Sequence, residues 1–162
     1  MIKKIISGGQ TGADQAALDA AIRLGIPHGG SIPKGRINED GRLPDKYQLK
    51  EMPTSSYSRR TEQNVIDSDG TLIVSHGKLT GGSAYTKEMA IKRNKPWHHS
   101  DLNKTNIFQE VIFIVNWIKL NRIKTLNVAG PSASENPHIY QDVINLLEMA
   151  IRIEPKQREY ST

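Results

Sequence analysis

A β-branched apolar run from Ile2 to Ile6, broken by two lysines, passes directly into Ser7-Gly-Gly-Gln-Thr-Gly-Ala-Asp. Ala16, Ala17, Leu18, Ala20, Ala21, Ile22 and Leu24 then follow at helical spacing. The pattern is strand, tight glycine loop, helix. The helix stops at Gly25, and Ile26 to Ile32 supplies a short second strand interrupted by Gly29-Gly30. The unit recurs twice. Thr71 to Ser75, apolar enough for a strand buried on both faces, leads through Gly77-Lys-Leu-Thr-Gly-Gly-Ser-Ala-Tyr-Thr into a helix from about Ala84 to Arg93. Ile123 to Val128 leads through Ala129-Gly-Pro-Ser-Ala-Ser-Glu into a last helix over 138–152. Alternating strands and helices imply an α/β fold with a mainly parallel sheet covered on both faces.

The remaining segments fit this frame. Residues 33–57, with Pro33, Gly35, Gly41 and Pro44 and little periodicity, read as a long surface loop with at most one short strand near Gln48 to Met52. A loop that long in a compact domain is usually functional or disordered. A helix is expected from after Ser58 through Ile66, a short strand opening at Pro96-Trp97, and a helix over 105–121. That last helix carries Phe108, Phe113 and Trp117, with core favoured over interface as their destination. No composition break divides the chain, so 1–162 reads as one domain.

Several function classes are excluded or demoted. The net charge is +5, but the basic residues are scattered, and the 6% of aromatics do not alternate with them as in single-strand binders. Nucleic acid therefore ranks low. No apolar run reaches about 18 residues, and the absence of cysteine removes disulfides, thiolate metal sites and cysteine nucleophiles. The expected setting is soluble and cytoplasmic, with no membrane partner. His28, His76, His98, His99 and His138 have no metal-ligand spacing, and adjacent His98 and His99 would point oppositely on a strand. No protein-ligated metal is expected, nor a recognisable nucleophile.

In an open parallel sheet, ligands sit outside the carboxyl ends of the strands, where all three special loops fall. In the first, Gly8, Gly9 and Gly12 bring bare N–H groups close to a ligand, the next helix aims its positive end there, and Ser7 and Thr11 add hydroxyls. Asp14 suits the first helical turn as a cap. Gln10 stands where a dinucleotide fingerprint needs glycine, and the loop lacks the Gly-Lys-Ser/Thr ending of a triphosphate-binding loop. In the second loop, Thr80, Gly81, Gly82, Ser83 and Thr86 precede or open a helix, with Glu88 one turn in; in the third, Gly130, Ser132 and Ser134 offer a turn and two donors. The alternative for each loop is a packing turn or a helix cap. Arg59-Arg60, where the chain enters a helix, is a candidate fork for phosphate.

Together, residues 6–14, 32–49, 58–74, 79–86 and 127–140 resemble the molybdenum cofactor carrier family over nearly the whole chain. The resemblance implies a Rossmann-like α/β/α sandwich, a homo-oligomer (dimer or tetramer), and a phosphorylated pterin cofactor or related anion held as cargo at the strand ends. Loops one to three would supply N–H groups and hydroxyls, Arg59 or Arg60 the charge, and the loop at 33–47, with Lys34 and Arg36, would close over the ligand. The wider superfamily includes nucleotide-sensing domains and phosphoribohydrolases that cleave nucleoside monophosphates with an arginine and the glutamate of Pro-Gly-Gly-x-Gly-Thr-x-x-Glu. Here Gly81, Gly82 and Glu88 match that motif, whereas Thr80, Ala84 and Tyr85 replace its proline, third glycine and threonine. The leading expectation is a non-catalytic carrier of a phosphate-bearing ligand. The alternatives are a monophosphate-cleaving enzyme using Glu88 with Arg59 or Arg60, which requires Glu88 at the anion site, and a nucleotide-sensing module.

Overall fold

The computed structural model describes residues 1–153. In chain order the elements are β1 (Lys4–Ile6), α1 (Ala13–Leu24), β2 (His28–Gly29), β3 (Ser31–Ile32), β4 (Ile37–Asn38), β5 (Gly41–Arg42) and β6 (Lys50–Glu51). They continue with α2 (Tyr57–Ile66), β7 (Gly70–Ser75), α3 (Gly81–Lys92), β8 (Trp97–Asp101), α4 (Ile107–Leu120), β9 (Thr125–Ala129) and α5 (Ile139–Ile153). Five strands form a parallel sheet in the order β2-β1-β9-β7-β8. The last strand of the chain is therefore the central one. The chain winds from β1 to β2 on one side and from β7 to β8 on the other, so the winding reverses around β9, where a doubly wound sheet opens its ligand crevice.

The three expected strand-loop-helix units are β1-α1, β7-α3 and β9-α5. Helices α1, α4 and α5 cover one face around Ile5, Leu72, Val74, Leu126 and Val128. Helices α2 and α3 form the other layer, where Val65, Met89 and Ala90 pack with Tyr85 and Trp97. The fold is thus a Rossmann-like three-layer α/β/α sandwich. All six residues of β7 are buried, as its continuous apolar run requires of a strand covered on both faces. The small side chains of Ala13, Ala16, Ala17, Ala20 and Ala21, all fully buried, let α1 sit close to the sheet and to α5. Gly25 ends α1 in the left-handed region (φ 68°), its N–H reaching the Ala21 and Ile22 carbonyls.

Four expectations change. The second strand is two: β2 joins the large sheet and β3 pairs with β6, because Gly30 (φ 125°) turns the chain where it crosses the backbone of Ser7. The stretch 33–57 is more ordered than a long loop with one strand: besides β6 it contains the β4–β5 hairpin. Its own small core of Ile32, Leu43, Tyr47 and Leu49 packs on Leu18. Arg36, at φ 54°, donates to the carbonyls of Leu49, Pro44 and Tyr47 at 3.2, 3.1 and 2.7 Å. A guanidinium fastening carbonyls leaves no periodicity in the sequence to read. Third, α3 starts at Gly81, so the Gly81-Gly82 pair is helix rather than loop. Fourth, α4 divides: Val111, Ile114, Trp117 and Ile118 are core, whereas Phe108 (67% exposed), Ile112, Phe113 and Leu120 (82% exposed) face outward.

Where β9 hands over to the third loop, a Cβ on Gly130 would lie 2.5 Å from the Val74 carbonyl oxygen and 2.6 Å from the Ala13 Cβ. Neither neighbour is the end of a flexible side chain. Gly130→Ala is therefore expected to destabilise the fold by about 2–3 kcal/mol, read as a lower urea midpoint at unchanged m-value; an unchanged midpoint would show that the two loops are not so tightly apposed.

Candidate functional site

A cavity of about 580 Å³ opens at the carboxyl end of the sheet beside β9. Its walls are the loop after β1 (Gly8, Gln10, Asp14), α2 (Tyr57, Arg60, Asn64), the start of α3 (Gly81, Gly82, Ser83, Thr86), and the end of β9 with its loop (Asn127, Gly130, Ser132, Ser134). Glu39, at the tip of the β4–β5 hairpin, and Glu135 complete the rim.

The first loop is held by its own chain. A Cβ on Gly8 would strike the Arg60 guanidinium, and one on Gly12 (φ 77°) would lie 2.5 Å from the Pro131 carbonyl oxygen. Gly9 (φ 74°) packs on Ile32, Leu43 and Leu49. The Ala13 N–H bonds the Pro131 carbonyl at 3.2 Å, the Gln15 N–H bonds the Gln10 carbonyl at 3.0 Å, and the Ser7 hydroxyl bonds the Asp14 carbonyl at 2.8 Å. Asp14 turns its carboxylate back into the loop, accepting the Gln10 N–H at 3.2 Å. The Gln10 N–H of the expected anion nest is thus already taken by an internal carboxylate. Burial pushes the Asp14 pKa up to about 6, against the opposing pull of Arg60 and of the Gln10 and Gly8 N–H groups. Arg60 is only 8% exposed; its guanidinium donates to the Gly8 carbonyl and lies against the Tyr57 ring.

The third loop is likewise engaged. Glu39 Oε1 accepts from the Thr11 hydroxyl and, at 3.1 Å, from the Ser134 N–H, while Oε2 accepts from the Ser134 hydroxyl at 2.6 Å. These bonds, Ser134 first and then Thr11, hold the exposed Glu39 carboxyl below its ordinary pKa. Thr11 Oγ1 in turn accepts the Ala133 N–H at 3.0 Å, tying loop one to loop three.

The start of α3 differs. Thr80, its N-cap residue, makes no side-chain cap bond, and a Cβ built on Gly81 or Gly82 would meet nothing within 4 Å. An α-helix leaves its first N–H groups without internal partners, and here two glycines leave them uncovered toward the cavity. Thr86 places its hydroxyl on the Gly82 carbonyl at 2.9 Å behind them.

Of the residues singled out by sequence, the cavity collects Gly8, Gln10, Arg60, Gly81, Gly82, Ser83, Thr86, Gly130, Ser132 and Ser134. Ser7, Gly9, Thr11, Gly12 and Thr80 support these without lining it. Lys34 is exposed elsewhere, with its N–H on the Thr54 carbonyl, and Arg36 is spent inside the 33–49 segment. Between the two candidate arginines, Arg60 faces the cavity and Arg59 is exposed away from it. Glu88 is also exposed and lines a different cavity, of about 840 Å³, with Lys87, Ile91 and His99. The carboxylates of Glu39 and Glu135 were not anticipated, and Asp14, taken for a helix cap, instead caps the loop before its helix. Only the helical phase of Asp14, which puts it one turn from Gln10, signalled any of these. His98 and His99 point oppositely, to Glu110 (2.9 Å) and to Ser75 (2.6 Å). Among the described residues no cluster of His, Asp or Glu has the makings of a metal centre, and no helix is long and apolar enough to cross a membrane.

A parallel, doubly wound sheet with a polar cavity at its reversal point, walled by two strand-to-helix loops, α2 and the start of α3, is a Rossmann-like architecture. The profile described as the circularly permutated YpsA SLOG family matches residues 5–151, and the chain belongs to that family. The chain is also similar to a protein from Syntrophus aciditrophicus SB provisionally named a molybdenum carrier protein, known from a 1.45 Å crystal structure. The two are 56% identical over 93% of this chain and 95% of that one, with a TM-score of 0.92, which bears out the suspected family. A structure of (E)-4-hydroxy-3-methyl-but-2-enyl diphosphate reductase is 10% identical over 91% of this chain and 59% of that one; its TM-score of 0.39 is too low to carry an argument. No curated protein sequence matches.

Between pH 4 and 6 the folded chain keeps on Asp14 a proton that the unfolded chain has released, so this group's contribution to stability falls as pH rises through that window. Asp14→Asn, which still accepts the Gln10 N–H, is expected to gain on the parent by about 2–3 kcal/mol between pH 4 and pH 7. Urea titrations of both proteins across that range measure it, and parallel pH profiles would refute the buried-acid assignment.

Proposed function

We propose that the protein is a non-catalytic cytoplasmic carrier holding a small phosphate-bearing ligand in the cavity beside β9, with a phosphorylated pterin carrying molybdenum as its cargo. One observation carries the phosphate: the start of α3, without a side-chain cap bond, where Gly81 and Gly82 leave open space over the helix N–H groups among the described residues. A glycine inside a helix costs about 0.5–1 kcal/mol against alanine. Nothing within the chain offsets that cost at Gly82, whereas a phosphate on the exposed N–H groups does. Arg60, buried in the facing wall, supplies positive charge. The molybdenum follows the name of the protein 56% identical to this chain, and the phosphorylated pterin follows the family resemblance. Separation of Glu88 from Arg60 into different cavities favours holding a ligand over cutting it, since a general acid or base must reach the reacting bond.

The outward apolar face of α4, formed by Phe108, Ile112 and Leu120, fits the homo-oligomer implied by family resemblance. Phe108→Ser combined with Leu120→Ser should lower the mass found by size exclusion with light scattering; an unchanged mass removes this face from the assembly.

Native mass spectrometry of freshly isolated protein should find a phosphate-bearing ligand of fixed mass, and protein made in cofactor-producing cells that retains neither cofactor nor nucleotide would refute the reading. Three substitutions test the site, the first of which separates stability from binding. Gly82→Ala should raise stability by about 0.5 kcal/mol and yet weaken binding of AMP or inorganic phosphate at least five-fold. Arg60→Met, which keeps the packed stem, should weaken it about ten- to hundred-fold, whereas Arg59→Ala should leave it within two-fold. Calorimetric titration measures all three, and a Gly82→Ala protein that binds as well as the parent would show that the space over α3 is not the ligand's.

A further inference from the structure

Any anionic ligand of this cavity meets a charge problem. Among the described residues Arg60 is the one cation lining it, against the carboxylates of Asp14, Glu39 and Glu135. Asp14 is buried, and the loop backbone satisfies it in place. Glu39 is different: it is exposed, stands at a two-residue hairpin tip, and its carboxylate is what reaches across to the third loop. There it gathers the Thr11 hydroxyl, the Ser134 hydroxyl and the Ser134 N–H. Ser132 Oγ stands 3.1 Å from Ser134 Oγ. Two hydroxyls and an amide converging from two loops are an oxyanion's donor set, filled here by the chain's own oxyanion.

The hairpin does not depend on this carboxylate for its position. Asn38 Nδ2 donates to the Gly9 carbonyl at 3.1 Å, and the Glu39 N–H donates to Gln10 Oε1 at 3.0 Å. Rotation of the Glu39 side chain alone vacates the donors, a rotamer change on an exposed residue that leaves both anchors intact.

We infer that Thr11, Ser132 and Ser134 form a second oxyanion subsite, that Glu39 is its resident stand-in, and that a ligand carrying two oxyanion groups displaces it. The inference rests on the reading of the cavity as an anion site and deepens it: one oxyanion lies on the start of α3, the other takes the place of the Glu39 carboxylate. Such a ligand gains the donors and removes a negative charge from the cavity in the same step. A ligand with one phosphate, such as AMP, uses the α3 end alone and leaves Glu39 seated.

Calorimetric titration with inorganic phosphate tests this on the full chain, comparing the parent with Glu39→Gln and Glu39→Ala. Either variant should bind phosphate at least ten-fold more tightly than the parent or take up a second equivalent. Adding Ser134→Ala should abolish that gain. Thermal unfolding checks that each variant is folded, and because glutamine keeps the side chain's shape, one variant serves if the other fails. Phosphate binding that is unchanged or weaker in both Glu39 variants overturns the inference, since a carboxylate that only braces the loops would give that result. A parent that binds AMP, with loss in Gly82→Ala, while the Glu39 variants show no gain, overturns the second subsite and leaves the α3 site standing. Failure of the parent and every variant to bind AMP or phosphate overturns both.

Discussion

The loops that leave β1 and β9 are packed too tightly to admit a side chain at Gly12 or Gly130, and the rest of the site depends on that apposition. Gly130 lies where a side chain would meet the Val74 carbonyl and Ala13, and Gly12 lies where one would meet Pro131 and Ala133. Because β1 and β9 are neighbours, the two loops leave the sheet side by side, and the alanine-faced α1 draws the first down onto the second. The loops then bond directly, backbone to backbone from the Ala13 N–H to the Pro131 carbonyl and backbone to side chain from the Ala133 N–H to the Thr11 hydroxyl. A larger residue at either glycine would splay the loops and open the cavity floor.

This apposition consumes donors. The Ala13 N–H goes to loop three, the Gln15 N–H to the loop backbone and the Gln10 N–H to Asp14, and the hydroxyls of Thr11 and Ser134 go to Glu39. Two of the three loops at the sheet edge have therefore met their electrostatic demand with carboxylates of the same chain. The start of α3 has not, and among the described residues a Cβ added at either of its glycines would meet nothing within 4 Å. The buried Asp14 shows which force prevails where such a carboxylate has lost its water: a guanidinium and two amides are not enough to offset desolvation, and the group's pKa rises. On the exposed Glu39 the same kinds of bonds win, and its pKa falls.

The fold was legible in the sequence because strand and helix periods alternate cleanly, and the stiff apolar run 71–75 admits only a covered parallel strand. The site was legible as far as the positions of the three loops. Its inner assignments were not, because a glycine has the same symbol whether it makes room for a ligand or for another loop. Gly8, Gly12 and Gly130 make room for Arg60, Pro131 and Val74, and only coordinates distinguish them from Gly82. Glu39 escaped notice for a related reason. It sits in a segment fastened by Arg36 and a five-residue core, whose order rests on contacts too irregular to leave a period.

Helix α3 also divides its residues between two cavities. At about 100° per residue, Gly82, Ser83 and Thr86 share the side toward the cavity beside β9, while Ala84, Lys87, Glu88 and Ile91 line the other cavity. A motif match read along the chain treats the glycines and the glutamate as one unit, but the helix turns Glu88 about 120° away from Gly82. The carboxylates that do reach the cavity are differently committed: Asp14 holds the first loop, and Glu39 holds the third. A phosphate placed over the start of α3 would meet helix N–H groups there, with Arg60 in the facing wall, while Glu88 lines the other cavity.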